Sequence, residues 1–125
     1  MAASSILLID DDAQVLNVIS EMLRIEGHRV TVAENGSRAQ AHLDSGGFDL
    51  VITDLLMPER EGLETIMDIR RRDARTPILA ISGGGRVGPG DYLETARYLG
   101  ANATLAKPFG RQELLVTVSD LLTTH

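Results

Sequence analysis

Two short apolar runs in this chain each end in acid. Ile6-Leu7-Leu8-Ile9 runs into Asp10-Asp11-Asp12, and Phe48 to Thr53 delivers Asp54 before Met57-Pro58 stops the run. Short Val/Ile/Leu-rich runs bounded by turn residues read as strands buried on both faces. The residue leaving the carboxyl end of such a strand reaches the edge where open α/β sheets bind ligands. Carboxylates gathered at that edge repel one another and require a counter-charge. An all-oxygen donor set suits a hard octahedral ion such as Mg2+, which keeps waters and takes the rest of its shell from substrate phosphate. Calcium fits less well, because the set offers few protein oxygens and no EF-hand loop. Two further apolar runs, 78–81 and 103–106, end in Ser82 and Lys107. A cation, a lysine and a hydroxyl around one carboxylate suit phosphoryl transfer, where catalysis is largely positioning and charge neutralisation.

Only Thr124, next to the terminal His125, has a histidine beside a hydroxyl residue, and there is no cysteine. His28, His42 and His125 fall at a strand start, in a helix and at the chain end, and are expected on the surface. A carboxylate can itself attack phosphorus and form an acyl phosphate. Asp54, alone at its strand end, is the candidate nucleophile, which leaves Asp10 and Asp11 to share the metal. The plainer alternative is that Asp54 caps a turn.

The elements that must position these groups alternate along the chain. From Ala13, helical spacing places Val15, Val18, Ile19, Met22 and Leu23 on one stripe, with Asp12 as N-cap and Gly27 at the end. A second strand is expected over 29–33. Asn35-Gly36 reads as a turn before a weakly apolar helix around Ala39, Ala41 and Leu43. After the Asp54 strand, a helix carries Leu63, Ile66, Met67 and Arg70. The glycine-rich stretch 83–90 lacks the Gly-Lys-Ser/Thr ending of a P-loop and is expected to be a flexible connector. Asp91 is expected to cap a helix over 92–99 that ends at Gly100. The last helix shows the clearest periodicity, with Leu114, Leu115, Val118, Leu121 and Leu122 on one face. Five strand–helix units imply a parallel sheet covered on both faces.

At 125 residues the chain is expected to form one domain, 1–125, with one site. The absence of cysteine excludes a disulfide framework or a thiolate site. The first five residues carry no basic group, and the apolar run after them is too short for a signal peptide or membrane span, so a cytoplasmic protein is expected. With 18 acidic residues against 12 basic ones the net charge is −6. Direct nucleic-acid binding is therefore not expected, and Arg70-Arg71-Arg72 reads as a helix C-terminus.

Ile9-Asp10-Asp11-Asp12, Asp54 followed by Met57-Pro58 and Gly62, Ser82, and Lys107-Pro108-Phe109 together resemble the receiver domain of two-component response regulators. The match covers essentially the whole chain, in order and at compatible spacing. The resemblance implies a (βα)5 flavodoxin-like, doubly wound parallel sheet in the order 2-1-3-4-5. That order is the one known for a chemotaxis member of the same family, so it is not an independent deduction. It would bring Asp10, Asp11, Asp54, Ser82 and Lys107 to one edge.

The resemblance further implies that Asp54 accepts a phosphoryl group from a phosphohistidine on a histidine kinase or phosphotransfer protein. Asp11 and Asp54 would bind Mg2+ directly, Asp10 through water, and the Leu56 backbone carbonyl would complete the protein ligands. Ser82 would move to hydrogen-bond the phosphoryl group and Lys107 would pair with it. The Lys107-Pro108 bond is often cis in such domains. Output is expected through the 83–90 connector, the 92–99 helix, the fifth strand and the last helix, with Arg97 and Tyr98 as candidate contacts to an effector protein. Phosphorylation-dependent dimerisation is a further expectation to test. A receiver of this kind catalyses only its own phosphorylation and dephosphorylation and is not expected to be an enzyme otherwise.

Three features depart from the family pattern. Thr104 stands where many relatives have the Tyr or Phe whose rotation reports phosphorylation. The segment from Ser82 to Lys107 is a few residues longer, through Gly84 to Gly90, so switching is expected to rest on this loop and the helix after it. Leu56 and Gly84 occupy positions that in relatives often carry polar side chains steering the hydrolytic water. A long-lived acyl phosphate is therefore expected, and a wild-type half-life shorter than that of Leu56→Asn would contradict this.

The leading expectation is a stand-alone receiver, since no output domain follows His125; a receiver cut from a longer regulator or hybrid kinase is the nearest alternative. A binding-only pseudo-receiver is disfavoured because the metal and phosphoryl residues are all present. Asp10-x-Asp12 after a strand also resembles the opening of haloacid-dehalogenase-type phosphatases. That reading leaves Asp54 unexplained in a chain this short.

Overall fold

The computed structural model describes residues 3–55, 61–82 and 89–123, with only the backbone described at 61 and 89–93. The chain alternates strand and helix throughout: β1 (Ser5–Ile9), α1 (Ala13–Ile25), β2 (Arg29–Ala33), α2 (Gly36–Ser45), β3 (Leu50–Asp54), α3 (Glu61–Arg72), β4 (Ile78–Ser82), α4 (Pro89–Leu99), β5 (Ala103–Ala106) and α5 (Arg111–Thr123). All pairings are parallel, in the order β2-β1-β3-β4-β5, the flavodoxin-like order.

The central strands β1, β3 and β4 are apolar without alternation because both their faces are covered, whereas the edge strand β2 keeps exposed positions. Ile6 and Leu8 of β1, Leu50 and Ile52 of β3, and Leu79 and Ile81 of β4 pack with Leu16, Ile19 and Leu23 of α1 and Leu114, Val118 and Leu121 of α5. Leu7, Ile9, Val51, Ile78 and Ala80 face the other way, onto Ala39 of α2, Ile66 and Ile69 of α3 and Ala96 of α4. Period-2 alternation thus divides one sheet between two cores.

The helices differ in detail from their sequence patterns. On α1, Leu16 joins Ile19 and Leu23 inside, whereas Val18 is 54 % exposed. Asp12 is the N-cap, its side chain accepting from the Gln14 and Val15 amides at 2.9 and 3.4 Å. Asn35 also caps a helix, accepting from the Arg38 amide at 2.8 Å, so Asn35-Gly36 opens α2 where a turn was expected. α4 starts at Pro89, so Asp91 lies inside the helix and is not its cap. A proline in the first turn loses no helical hydrogen bond and carries the right φ.

Arg70, Arg71 and Arg72 do end α3, but all three have internal partners. Arg71 pairs with Asp68 at 2.5 Å, and Arg72 binds Asp44 and Gln40 of α2. Arg70 reaches Gly100 and Asn102 beyond α4. Each of the three is therefore engaged by a partner within the chain. No helix among the described residues is long and apolar enough to cross a membrane.

Candidate functional site

Strand register alone assembles the acidic edge. Ile9 of β1 lies opposite Thr53 of β3, so Asp10 leaves its strand level with Asp54. Asp54 lies opposite Ile81, and Ser82 opposite Ala106, so Ser82 and Lys107 follow within a residue or two. By alternation, Asp10, Asp54 and Lys107 continue the rows of Leu8, Ile52 and Leu105, which face α1 and α5. Ser82 continues the row of Ile78 and Ala80 and faces the other helices.

The carboxylates meet as this register requires. One oxygen from each of Asp10, Asp11 and Asp54 lies within 4.8 Å of the others, and among the described residues this is the one acidic group so arranged. Asp10 and Asp54 are buried, 3 % and 5 % exposed, and Asp11 is exposed. Lys107 Nζ is 3.3 Å from Asp10 Oδ2 and 3.8 Å from Asp54 Oδ2. Asp10 also accepts from the Asp12 amide at 2.9 Å, so both of its oxygens are engaged. Ser82 is fully buried. The Lys107 amide donates to the Ser82 carbonyl at 2.8 Å, which ties the lysine to the serine strand. Lys107-Pro108 is cis, as the resemblance implied.

The backbone under Asp54 is held from two sides. The Leu55 amide donates to the Ile81 carbonyl at 2.8 Å. On the other side α3 presses against the strand end at Gly62, where a Cβ atom would lie 2.2 Å from the Asp54 carbonyl oxygen and 2.7 Å from Leu55 Cα. Only glycine permits that approach. Gly62 appears in the sequence as part of a motif, but its reason is this contact, which no local pattern reveals.

The donor set fits a hard divalent ion. Three clustered carboxylate oxygens with no sulfur or imidazole favour Mg2+-like coordination, and a single lysine cannot offset three carboxylates. His28 and His42 are half-buried and outside this group. Leu56, the expected carbonyl ligand, lies outside the described residues, as do Met57, Pro58, Gly84, His125 and the segment 83–88. The Asp91 side chain is likewise not described. Thr104 is half-buried on β5 opposite Ala80, so no aromatic ring occupies that position.

A parallel α/β domain carrying three clustered carboxylates, a buried serine and a lysine at its carboxyl edge defines a class of acidic, phosphate-directed sites. The chain belongs to the response regulator receiver domain family, whose family model matches residues 6–119. It is 31% identical over 121 residues to the chemotaxis protein CheY of Halobacterium salinarum, covering 97% of this chain and 98% of that one. It is 34% identical to the transcriptional regulatory protein CpxR of Klebsiella pneumoniae over 95% of this chain, but spans only 49% of that relative. Several other transcriptional regulators are likewise matched over about half their length. The crystal structure of the chemotaxis response regulator CheY4 of Vibrio cholerae superposes with a TM-score of 0.85 at 28% identity, covering 97% of this chain and all of that one.

Proposed function

We propose that this receiver domain takes a phosphoryl group onto Asp54 from a phosphohistidine of a histidine kinase or phosphotransfer protein. The observation that carries the reading is the buried Asp54 carboxylate held between Asp10, Asp11 and Lys107. An Asp54 oxygen attacks phosphorus, the P–N bond to the donor imidazole breaks, and the nitrogen leaves with the electron pair. The product is an acyl phosphate on Asp54. Lys107, already 3.8 Å from Asp54 Oδ2, pairs with a phosphoryl oxygen, and Ser82, whose row faces the other core, moves so that its hydroxyl donates to another. Asp10, Asp11, Asp54 and the Leu56 carbonyl are the residues that would hold Mg2+. When bound, that ion supplies the charge neutralisation the phosphoryl oxygens need.

The domain works as a signalling module, not as a turnover enzyme, in the cytoplasm. Its output runs to an effector protein through the face of α4, β5 and α5, where Tyr98 is 90 % exposed beside exposed Arg97. Phosphorylation-dependent dimerisation through that face is part of the same reading. The donor protein docks elsewhere. An open apolar groove of about 410 Å3 between α1 and the segment after β5 is lined by Val15, Val18, Met22 and Phe109, and Lys107 belongs to both groove and site. A protein that must place a phosphohistidine on Asp54 reaches it most directly from here. Val18→Asp should block transfer from a protein donor and leave labelling by a small acyl phosphate intact; loss of both would refute the docking assignment.

The deciding experiment is intact-protein mass after incubation with a small acyl phosphate and Mg2+. Wild type should gain one phosphoryl group, and neither Asp54→Asn nor a Mg2+-free sample should gain any. Labelling of Asp54→Asn to the same extent would overturn the assignment.

A further inference from the structure

At the opposite, amino edge of the sheet one guanidinium joins three elements. Arg70, near the end of α3, donates from Nε to the Gly100 carbonyl at 3.0 Å and from Nη2 to Asn102 Oδ1 at 2.7 Å. Its Nη1 donates to the Asp73 carbonyl at 3.2 Å. Asn102 is itself fixed to β4, accepting from the Ile78 amide at 2.9 Å and donating its own amide to the Ile78 carbonyl at 2.9 Å. Gly100 ends α4 with φ +124°, where a side chain is strained, and a Cβ there would lie 2.8 Å from Arg70 Cγ and Nε. The Gly100 amide donates to Ala96 and Arg97, so the terminus of α4 is closed onto its own last turn. Ala96, fully buried, seats that turn in the core.

We infer that Arg70 is a positioning residue that latches the C-terminal end of α4 to α3 and β4, making that end the fixed point about which α4 moves. The opposite end, Pro89, is the one joined through segment 83–88 to Ser82 in the site. Displacement of Ser82 therefore enters α4 at Pro89 and is stopped at Gly100. Tyr98 and Arg97 lie beside the fixed point, so they change orientation more than position. The second half of this inference rests on the Asp54 reading above; the latch itself does not.

Amide hydrogen exchange on the full chain tests both halves. Without phosphodonor, Arg70→Ala should speed exchange about tenfold at residues 97–103 and at Ile78, leaving β1 and β3 unchanged. Arg70→Lys should show the same defect, because one ammonium cannot bond Gly100 and Asn102 together as a planar fork does. Unchanged exchange at 97–103, a uniform rise through β1 and β3, or full rescue by lysine would overturn the latch. With a small acyl phosphate and Mg2+, wild type carrying the Asp54 adduct should change at 90–96 and not at 97–103, and Arg70→Ala should extend the change through 103. An adduct whose exchange changes equally at both ends of α4, or nowhere, would overturn the fixed point. Absence of the adduct by mass would overturn the Asp54 reading and with it the phosphorylation-driven motion, while the first comparison still decides the latch.

Discussion

The two edges of the sheet handle charge in opposite ways. At the amino edge Arg70 is surrounded by acceptors: two backbone carbonyls and the Asn102 side chain, with Asp73 close by. Burial pulls its pKa below the ordinary guanidinium value and Asp73 opposes that shift. At the carboxyl edge, among the described residues, three carboxylates cluster beside one lysine, which pairs with Asp10 and Asp54. The first arrangement is complete in itself and holds elements together. The second has an excess of negative charge that a cation and a phosphoryl group would use. An edge that is electrostatically finished is structural; one left unfinished is where ligand chemistry belongs.

The largest effect that would sharpen this contrast is mechanical. The acidic edge keeps its geometry because α3 is seated directly on the Asp54 peptide through Gly62. Glycine to alanine inside an exposed helix ordinarily stabilises by about 1 kcal/mol. Here the added methyl meets backbone atoms that cannot rotate away, so Gly62→Ala should cost on the order of 2–4 kcal/mol. Urea denaturation at neutral pH measures it. A neutral or stabilising result would show that the carboxyl edge is not held in this way.

Most of this architecture was legible in the sequence because it depends on local pattern. The central strands β1, β3 and β4 are apolar runs, and Asp10, Asp54 and Ser82 end them while Lys107 follows the short β5, so strand order alone brings them together. Asp12 as N-cap is equally local. What failed to show was also local in part: Asn-Gly is a turn signal even where Asn35 caps a helix, and Asp91 has the chemistry of a cap although α4 starts two residues earlier at Pro89. The Arg70 latch had no signal of this kind. Its partners lie 30 and 32 residues away, and a helix-terminal arginine looks the same whether it is solvated or bonded to another element. The exposure of Val18 was hidden likewise, since an apolar stripe does not say which of its members the sheet covers.

A smaller effect distinguishes the edges by sign. Asp54 is repelled by Asp10 and Asp11 and attracted by Lys107 at 3.8 Å. Among the charged side chains of the described residues, two carboxylates oppose it and one lysine attracts it, a balance that a divalent ion would relieve. Asp54→Asn should therefore stabilise the metal-free protein, on the order of 1–2 kcal/mol at an effective dielectric near 20. Adding millimolar Mg2+ should raise the melting temperature of wild type and leave the variant almost unmoved. Destabilisation by Asp54→Asn without metal would mean that the acidic edge is as self-sufficient as the other.

The smallest effect belongs to the finished edge and is read through pH. Asp73 accepts from the Arg75 amide at 2.8 Å and from the Thr76 hydroxyl at 2.7 Å. The Arg75 amide bond, then the Thr76 hydroxyl and more weakly Arg70, hold its carboxyl below the usual carboxylate range. A group whose folded pKa is depressed binds more protons unfolded than folded in the interval between its two pKa values. Its contribution to stability is thus fully present above the unfolded value, near pH 4, and is lost as pH falls through the folded one. Wild type should be more stable than Asp73→Asn at neutral pH, and the two stabilities should converge below about pH 4. Because the leading cause is a hydrogen bond, with the guanidinium attraction secondary, the difference should survive molar salt, which screens exposed ion pairs almost completely. A gap that widens on acidification, or that salt removes, would assign Asp73 to surface electrostatics and leave Arg70 alone as the organiser of that edge.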